Sequence, residues 1–166
     1  SDYLKLDTIL TAQELKSVEA GRPAHDEMLF IIVHQAYELW FKQILHEMGS
    51  VLEMFERDTV DERNIGTAVS RLQRVIEIQK LLIDQLRVLE TMTPMDFLDF
   101  RDYLFPASGF QSVQFRLVEI LFGLRPEQRL LYNQFAYHTR VSPEHQELLK
   151  RTEQRTSLFE AVERWL

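Results

Sequence analysis

The chain has 166 residues, of which 45% are hydrophobic and 27% are charged, so it fits one globular domain and is not a disordered chain. Its net charge of −7 argues against a nucleic-acid partner, because no basic excess is available to neutralise phosphates. It has no cysteine, which excludes disulfides and thiolate metal sites, and its apolar runs are too short to span a membrane, so we expect a cytoplasmic protein.

The first elements in chain order are predicted to be helices. The segment "TAQE", residues 11–14, has the spacing of a capping box, and Gly21 with Pro23 ends the helix that would follow. A much longer helix is predicted from Asp26 to about Arg57, because this stretch has no proline and its apolar residues recur at helical spacing. The apolar residues are Leu29, Ile32, Val33, Ala36, Leu39, Trp40, Ile44 and Leu45.

The rest of the chain continues in helices. A second capping box, "TVDE" at residues 59–62, opens a helix predicted to reach about Glu90. "TPMD" at residues 93–96 offers an N-cap followed by proline, which predicts a short helix to about Leu104. The helix predicted from residue 59 to about Glu90 carries an apolar stripe of Ile65, Val69, Leu72, Ile76 and Leu82. Further helices are predicted over 110–122, ended by Gly123, and from Ser142 and Ser157.

No segment shows the alternating pattern of a strand. The sequence therefore predicts an all-α fold in which long antiparallel helices, joined by short loops, form a helical bundle. We expect residues 1–166 to form a single helical domain.

His34 lies in "FIIVHQAYELW", residues 30–40, which is expected to be the most deeply buried segment of the chain. Phe30, His34 and Glu38 are four residues apart and share one helix face. Three interpretations are open: a neutral core histidine, a metal ligand paired with Glu38, or a histidine that lines a ligand pocket walled by Phe30. The metal interpretation is the weakest, because the chain has no Glu-x-x-His motif.

Arg101 lies in the second unusual stretch, "DFLDFRDYLFPASGFQSVQFR" at residues 96–116, which is crowded with aromatic residues. A structural interpretation is that this arginine snorkels from a core helix or pairs with Asp99 or Glu90. A functional interpretation is that its guanidinium binds a carboxylate through two parallel hydrogen bonds. The small-residue loop 107–109 that follows would let backbone N–H groups approach a ligand closely.

The two stretches together resemble the tryptophan 2,3-dioxygenase family, through "HDEMLFIIVHQAYELWFKQ" (25–43) and "LETMTPMDFLDFRDYLFPASGFQSVQFR" (89–116). The segments "YLKLDTIL" (3–10) and "SLFEAVERWL" (157–166) are similar to the same family. The resemblance implies an all-α homotetramer with a haem b pocket between helices. It implies an enzyme that inserts O2 across the indole 2,3-bond of L-tryptophan to give N-formylkynurenine, the first step of tryptophan degradation by the kynurenine pathway.

The resemblance also implies roles for individual residues. His34 matches the histidine on the distal side of the haem, which hydrogen-bonds the indole N–H, and Phe30 matches the phenylalanine that packs against the indole. Arg101 matches the arginine that holds the substrate carboxylate. Leu104 matches a wall of the pocket.

Other matched positions concern the cofactor and the neighbouring subunit. Ser108 and Gly109 match the small residues near the haem and O2. Tyr3 and Leu4 match residues that enclose the substrate of a neighbouring subunit. The family's proximal haem histidine lies in a C-terminal stretch, so we expect it outside these residues and expect the chain to be the N-terminal part of a longer, active one. Residues 1–166 alone would then be inactive.

Two departures from the family pattern keep alternatives open. Phe97 stands where some bacterial members have a tyrosine that also contacts the carboxylate, so a relative that oxidises another aromatic amino acid is one alternative. His138 and His145 lie in segments that do not match the proximal motif, and neither is assigned to iron. A haem-free helical module that binds an aromatic amino acid is the second alternative.

Overall fold

The computed structural model describes residues 2–56, 62–105, 112–124 and 142–166. These residues contain helices and no strand, which confirms the predicted all-α fold. The helices are α1 (Leu6–Leu10), α2 (Lys16–Glu19), α3 (Glu27–Phe55), α4 (Glu62–Leu89), α5 (Pro94–Arg101), a 3-10 helix (Asp102–Leu104), α6 (Val113–Phe122), α7 (Pro143–Glu153) and α8 (Leu158–Trp165).

The chain divides into two compact units. The first unit comprises Ser1–Tyr37 and Ile83–Ser108, and the second comprises Glu38–Leu82 and Gly109–Leu166. Helices α3 and α4 each contribute one part to each unit. That residues 1–166 form a single domain stays a prediction.

Three predicted helix starts are confirmed by side-chain caps. The Thr93 hydroxyl accepts a hydrogen bond from Asp96 N–H, the Asp96 carboxylate accepts one from Thr93 N–H, and a proline occupies the first turn of α5. The hydroxyls of Ser157 and Ser142 cap α8 and α7 in the same way, and Glu160 completes a capping box in α8. These caps are local in sequence, which is why the spacing alone predicts them.

The predicted capping box at residues 11–14 is wrong. Thr11 directly follows α1, and its hydroxyl donates to the carbonyl of Asp7 within that helix. Helix α2 begins at Lys16 and has no side-chain cap from its N-cap residue, Leu15. The backbone N–H groups at the start of α2 are bound instead by Glu27, at the start of α3. The capping box predicted at residues 59–62 lies outside the described residues.

In the second unit, the adjoining parts of α3 and α4 run antiparallel, as predicted. Arg74 Nη1 lies 2.6 Å from Glu47 Oε1, and Arg71 Nη1 lies 4.0 Å from Met54 Sδ, so the contact moves back along α4 as it advances along α3. Helix α6 packs against α7 and α8 in the same unit.

The buried faces of the long helices differ in part from the predicted stripes. On α3, Val33 and Ile44 are buried as expected, whereas Ile32 and Leu39 are exposed. On α4, Leu82 is buried, but the predicted Val69 and Ile76 are exposed, and the buried residues are Ala68, Val75 and Ile78. Both helices carry apolar residues on more than one face, so helical spacing does not by itself select the face that becomes buried.

Among the glycines that the structure describes, Gly123 is expected to be the most sensitive to substitution. It ends α6 with φ +99°, a left-handed conformation that costs other L-residues about 1–2 kcal/mol. A Cβ at this position would also lie 3.1 Å from Phe159 Cβ and 3.1 Å from Ser157 Oγ. Gly123→Ala should therefore lower the urea concentration at the midpoint of unfolding.

Gly21→Ala is the matched control for that measurement. Gly21 has φ +72°, but nothing lies within 4 Å of the position its Cβ would take. The Gly21→Ala variant should be destabilised only by the cost of placing an L-residue in the left-handed conformation. Its midpoint of unfolding should therefore fall less than that of Gly123→Ala. An equal fall in both variants would show that the contact with Phe159 and Ser157 is unimportant.

Candidate functional site

An aromatic cluster in the first unit joins α3 to α5. The ring centroid of Phe30, on α3, lies 5.9 Å from that of Phe97 and 5.5 Å from that of Phe100, both on α5. Phe97 and Phe100 contact each other edge to face, with centroids 5.4 Å apart. Phe100 is fully buried and Phe30 and Phe97 are partly buried. This cluster fixes α5 against the part of α3 that carries His34.

His34 packs directly on this cluster but is solvent-exposed. Its ring centroid lies 4.1 Å from that of Phe30, one turn earlier on α3. The interpretation as a buried core histidine is therefore wrong, and so is the expectation that its segment is the most deeply buried. Val33 and Ile44 lie on the buried face of α3. His34 is the next residue after Val33, so its side chain points about 100° away from that face.

The hydrogen bond made by His34 determines which ring nitrogen can accept a hydrogen bond from a ligand. His34 Nδ1 lies 2.7 Å from the backbone oxygen of Phe30. A carbonyl oxygen only accepts, so Nδ1 carries the proton and donates it, and in the neutral imidazole Nε2 is then an acceptor. The ring is held by Phe30 from two sides, through the backbone hydrogen bond and through the aromatic contact.

Arg101 is the last residue of α5 and directly follows the buried Phe100. Its side chain is exposed, and it forms no ion pair with any residue in the described part of the chain. The predicted ion pair with Asp99 or Glu90 is therefore wrong, whereas an exposed arginine next to the buried Phe100 agrees with the snorkelling interpretation. A guanidinium anchored by a buried neighbour and left without a carboxylate partner can bind a carboxylate from a ligand.

For the other predicted site residues the structure gives only exposure and position in the chain. Leu104 is partly buried in the 3-10 helix that follows Arg101. Tyr3 is 92% exposed and Leu4 is 54% exposed, at the beginning of the chain before α1. Ser108 and Gly109 lie outside the described residues.

The structure adds residues of the first unit that the sequence did not single out. Glu27 and Ser17 are buried and hydrogen-bonded to each other. The two residues are ten positions apart in the chain, so no local sequence motif predicts their hydrogen bond. Burial raises the pKa of Tyr37, one turn after His34, and the Thr93 hydroxyl hydrogen bond holds the pKa of the Asp96 carboxyl below its ordinary value.

The described residues include four histidines and no cluster of metal-binding side chains. No group of three or more His, Asp or Glu side chains could hold a metal in the ranges that the structure covers. The described histidines, His25, His34, His46 and His145, are all exposed. The Glu38 carboxylate, the candidate metal partner of His34, accepts a hydrogen bond from Gln114 Nε2 at 2.7 Å. His138 lies outside the described residues.

Within the same residues, no helix is both long enough and apolar enough to cross a membrane.

A family model described as tryptophan 2,3-dioxygenase matches residues 1–166. The chain belongs to the tryptophan 2,3-dioxygenase family. The resemblance inferred from the two long motifs is thereby confirmed over the whole sequence.

Individual members of the tryptophan 2,3-dioxygenase family show the extent of the similarity. The tryptophan 2,3-dioxygenase of Bdellovibrio bacteriovorus is 56% identical over 99% of this chain and 46% of its own length. The enzyme of Alteromonas mediterranea is 52% identical over 99% of this chain and 46% of its own length. The enzyme of Xenopus laevis is 55% identical over 99% of this chain and 41% of its own length. The chain thus spans less than half the length of these relatives.

Proposed function

We propose that the protein, in its full natural length, is a haem-dependent dioxygenase that oxidises L-tryptophan with O2 to N-formylkynurenine. The observation that carries this proposal is the family match over residues 1–166. The similarity to proteins named tryptophan 2,3-dioxygenase, at 52–56% identity for the two bacterial relatives, supports the same substrate.

The proposed task of the described residues is to hold the substrate. Nε2 of His34, the acceptor nitrogen, would accept a hydrogen bond from the indole N–H, while Phe30 packs against the indole ring. Arg101 would bind the carboxylate through a charge-assisted, two-pronged contact. Support for this pairing comes from the aromatic cluster, because Phe97 and Phe100 of α5 pack on Phe30 of α3. Two anchors at opposite ends of an amino acid fix the orientation of its indole.

The cofactor and the assembly complete this proposal. Haem b, when bound, would supply the oxygen chemistry, and the histidine that holds its iron is proposed to lie outside residues 1–166. Ser108 and Gly109 are proposed to lie near the haem, and Tyr3 and Leu4 to cover the substrate of a neighbouring subunit in a homotetramer. The exposure of Tyr3 and Leu4 is in keeping with the last role. A cytoplasmic location is part of the same proposal.

A second candidate function is the oxidation of a different aromatic amino acid. Phe97 favours it, because a phenylalanine offers no hydroxyl to the substrate carboxylate and packs against Phe30 instead. Arg101 would then hold the carboxylate with less help. The reaction class would be unchanged, and only the preferred side chain of the substrate would differ.

The full-length protein, purified with haem, tests both functions. We expect a haem absorption band and the appearance of N-formylkynurenine when L-tryptophan and O2 are added. L-phenylalanine, L-tyrosine and 5-hydroxy-L-tryptophan are the comparison substrates, and L-tryptophan should have the highest kcat/KM.

Two results would contradict the proposal. A higher kcat/KM for one of the comparison substrates would establish the second candidate function. Binding of L-tryptophan by a protein that retains no haem would identify a helical binding module and exclude the dioxygenase.

A further inference from the structure

Glu27 is a buried carboxylate for which the proposed function has no role. It is the first residue of α3 and only 1% exposed. Burying a carboxylate is costly unless hydrogen bonds replace its water. Glu27 Oε1 accepts from the backbone N–H of Lys16 at 2.8 Å, and Oε2 accepts from the backbone N–H of Ser17 at 3.0 Å and from the Ser17 hydroxyl. Both carboxylate oxygens are therefore committed to the beginning of α2.

Ser17 extends this network along the segment that leads back to α3. Its side-chain oxygen accepts a hydrogen bond from the backbone N–H of Ala24 at 3.0 Å. Ser17 is 0% exposed and Ala24 is 7% exposed. A single carboxylate thus ties α2, and the loop after it, to the beginning of α3.

A second tether holds the segment before α2. Gln13 Nε2 donates to Gln35 Oε1 at 2.7 Å, and Gln35 Nε2 donates to the carbonyl of Ala12 at 3.0 Å. Gln35 is the neighbour of His34. Glu27 precedes His34 by seven residues, which places it on the same line of the helix and about 10 Å along the axis. The two tethers therefore lie at the two ends of the stretch of α3 that carries Phe30 and His34.

Helix α2, once held by Glu27, supports the segment that follows Arg101. It packs against the 3-10 helix Asp102–Leu104 within the first unit. This short helix begins directly after Arg101. The backbone of Arg101 is therefore held on one side by Phe100, which packs on Phe30, and on the other by the 3-10 helix that rests on α2.

We propose that Glu27 is a positioning residue for the carboxylate end of the substrate. It fixes α2, and α2 fixes the 3-10 helix that sets the place of the Arg101 guanidinium relative to the His34–Phe30 pair. Glu27 touches neither substrate nor cofactor. The inference rests on the proposed role of Arg101 as the carboxylate anchor.

The test is Glu27→Gln in the full-length holoenzyme, with binding measured by calorimetry for two ligands. A glutamine keeps the shape but replaces one acceptor oxygen by an NH2 donor, which faces the donors of the α2 N-terminus. The Kd for L-tryptophan should rise about five- to tenfold. Tryptamine keeps the indole and the amine but lacks the carboxylate, and its Kd should change by less than about twofold. KM for L-tryptophan should rise with Kd, while kcat at saturation changes little.

Glu47→Gln is the matched control. Glu47 is also a buried glutamate of α3, 4% exposed, but it lies in the second unit and accepts from Gln43 and Arg74. Its substitution should leave both Kd values unchanged. Ser17→Ala removes only the hydroxyl from the network. It should change the Kd values of the two ligands in the same direction as Glu27→Gln, by a smaller factor.

A double variant shows whether Glu27 acts through Arg101. If it does, Glu27→Gln combined with Arg101→Lys should bind L-tryptophan no more weakly than Arg101→Lys alone. The inference would be overturned if the two substitutions raised the Kd for L-tryptophan by factors that multiply in the double variant. It would also be overturned if Glu27→Gln and Ser17→Ala each weakened the binding of tryptophan and tryptamine by the same factor. Sensitivity to Arg101→Lys without sensitivity to Glu27→Gln would overturn it and leave the proposed function intact. Tryptophan binding unaffected by Arg101→Lys would refute the proposed role of Arg101 and the inference with it.

Discussion

Arg101→Lys in the full-length enzyme should lower kcat/KM for L-tryptophan by about 2–3 kcal/mol in transition-state free energy, which is roughly 30- to 150-fold. Lysine keeps the positive charge, but a point charge on a flexible stem does not reproduce the two parallel hydrogen bonds of a guanidinium to a carboxylate. The exposed side chain of Arg101 has no competing ion pair among the described residues, so no ion pair within that part of the chain must break before a ligand binds.

Arg87→Lys is the matched control for this prediction. Arg87 is another exposed arginine of the first unit, 82% exposed, with only a 3.8 Å contact to Asp84. Its replacement should leave kcat/KM for L-tryptophan unchanged. A near-normal value for Arg101→Lys as well would remove Arg101 from the substrate site.

His34→Ala should weaken the binding of L-tryptophan by about 1–2 kcal/mol, or roughly 5- to 30-fold in Kd, while the haem is retained. The lost interaction is the hydrogen bond from the indole N–H to Nε2. 1-Methyl-tryptophan has no indole N–H to donate, so its affinity should fall less than that of L-tryptophan. Haem retention is followed by the absorption band of the purified variant.

His46→Ala controls for removing an exposed histidine from the same helix. His46 lies on α3 in the second unit and is exposed, as His34 is. It should leave haem content and tryptophan affinity unchanged. Loss of haem in His34→Ala alone would mean that His34 is an iron ligand, and equal penalties for the two substrates would mean that it does not contact the indole N–H.

The helices and most of their ends follow from the order of residues alone. The long helix predicted from Asp26 to about Arg57 is Glu27–Phe55, and the caps at Thr93, Ser142 and Ser157 are as expected. A cap depends on residues three positions apart, and an apolar period depends on residues within one helix. Both signals are local, so they can be read from the order of residues alone.

The family was also determined by sequence, because two long motifs carry it. The place of each matched residue in the fold was not. His34 was expected in the deepest segment and is exposed, since one residue of difference turns a side chain by about 100° around a helix. The choice between Val69 and Ala68, or between Ile76 and Val75, as the buried residue of α4 has the same cause.

Contacts between groups far apart in the chain depend on how the helices pack. The contacts of Phe30 with Phe97 and Phe100 join residues 67 and 70 positions apart, and they place the helix of Arg101 against the helix of His34. The cap of α2 is not a residue of its own N-terminus but the buried Glu27, ten residues after Ser17. A buried carboxylate must satisfy its hydrogen bonds wherever donors come within reach, and that reach is set by the packing of the chain and not by its order.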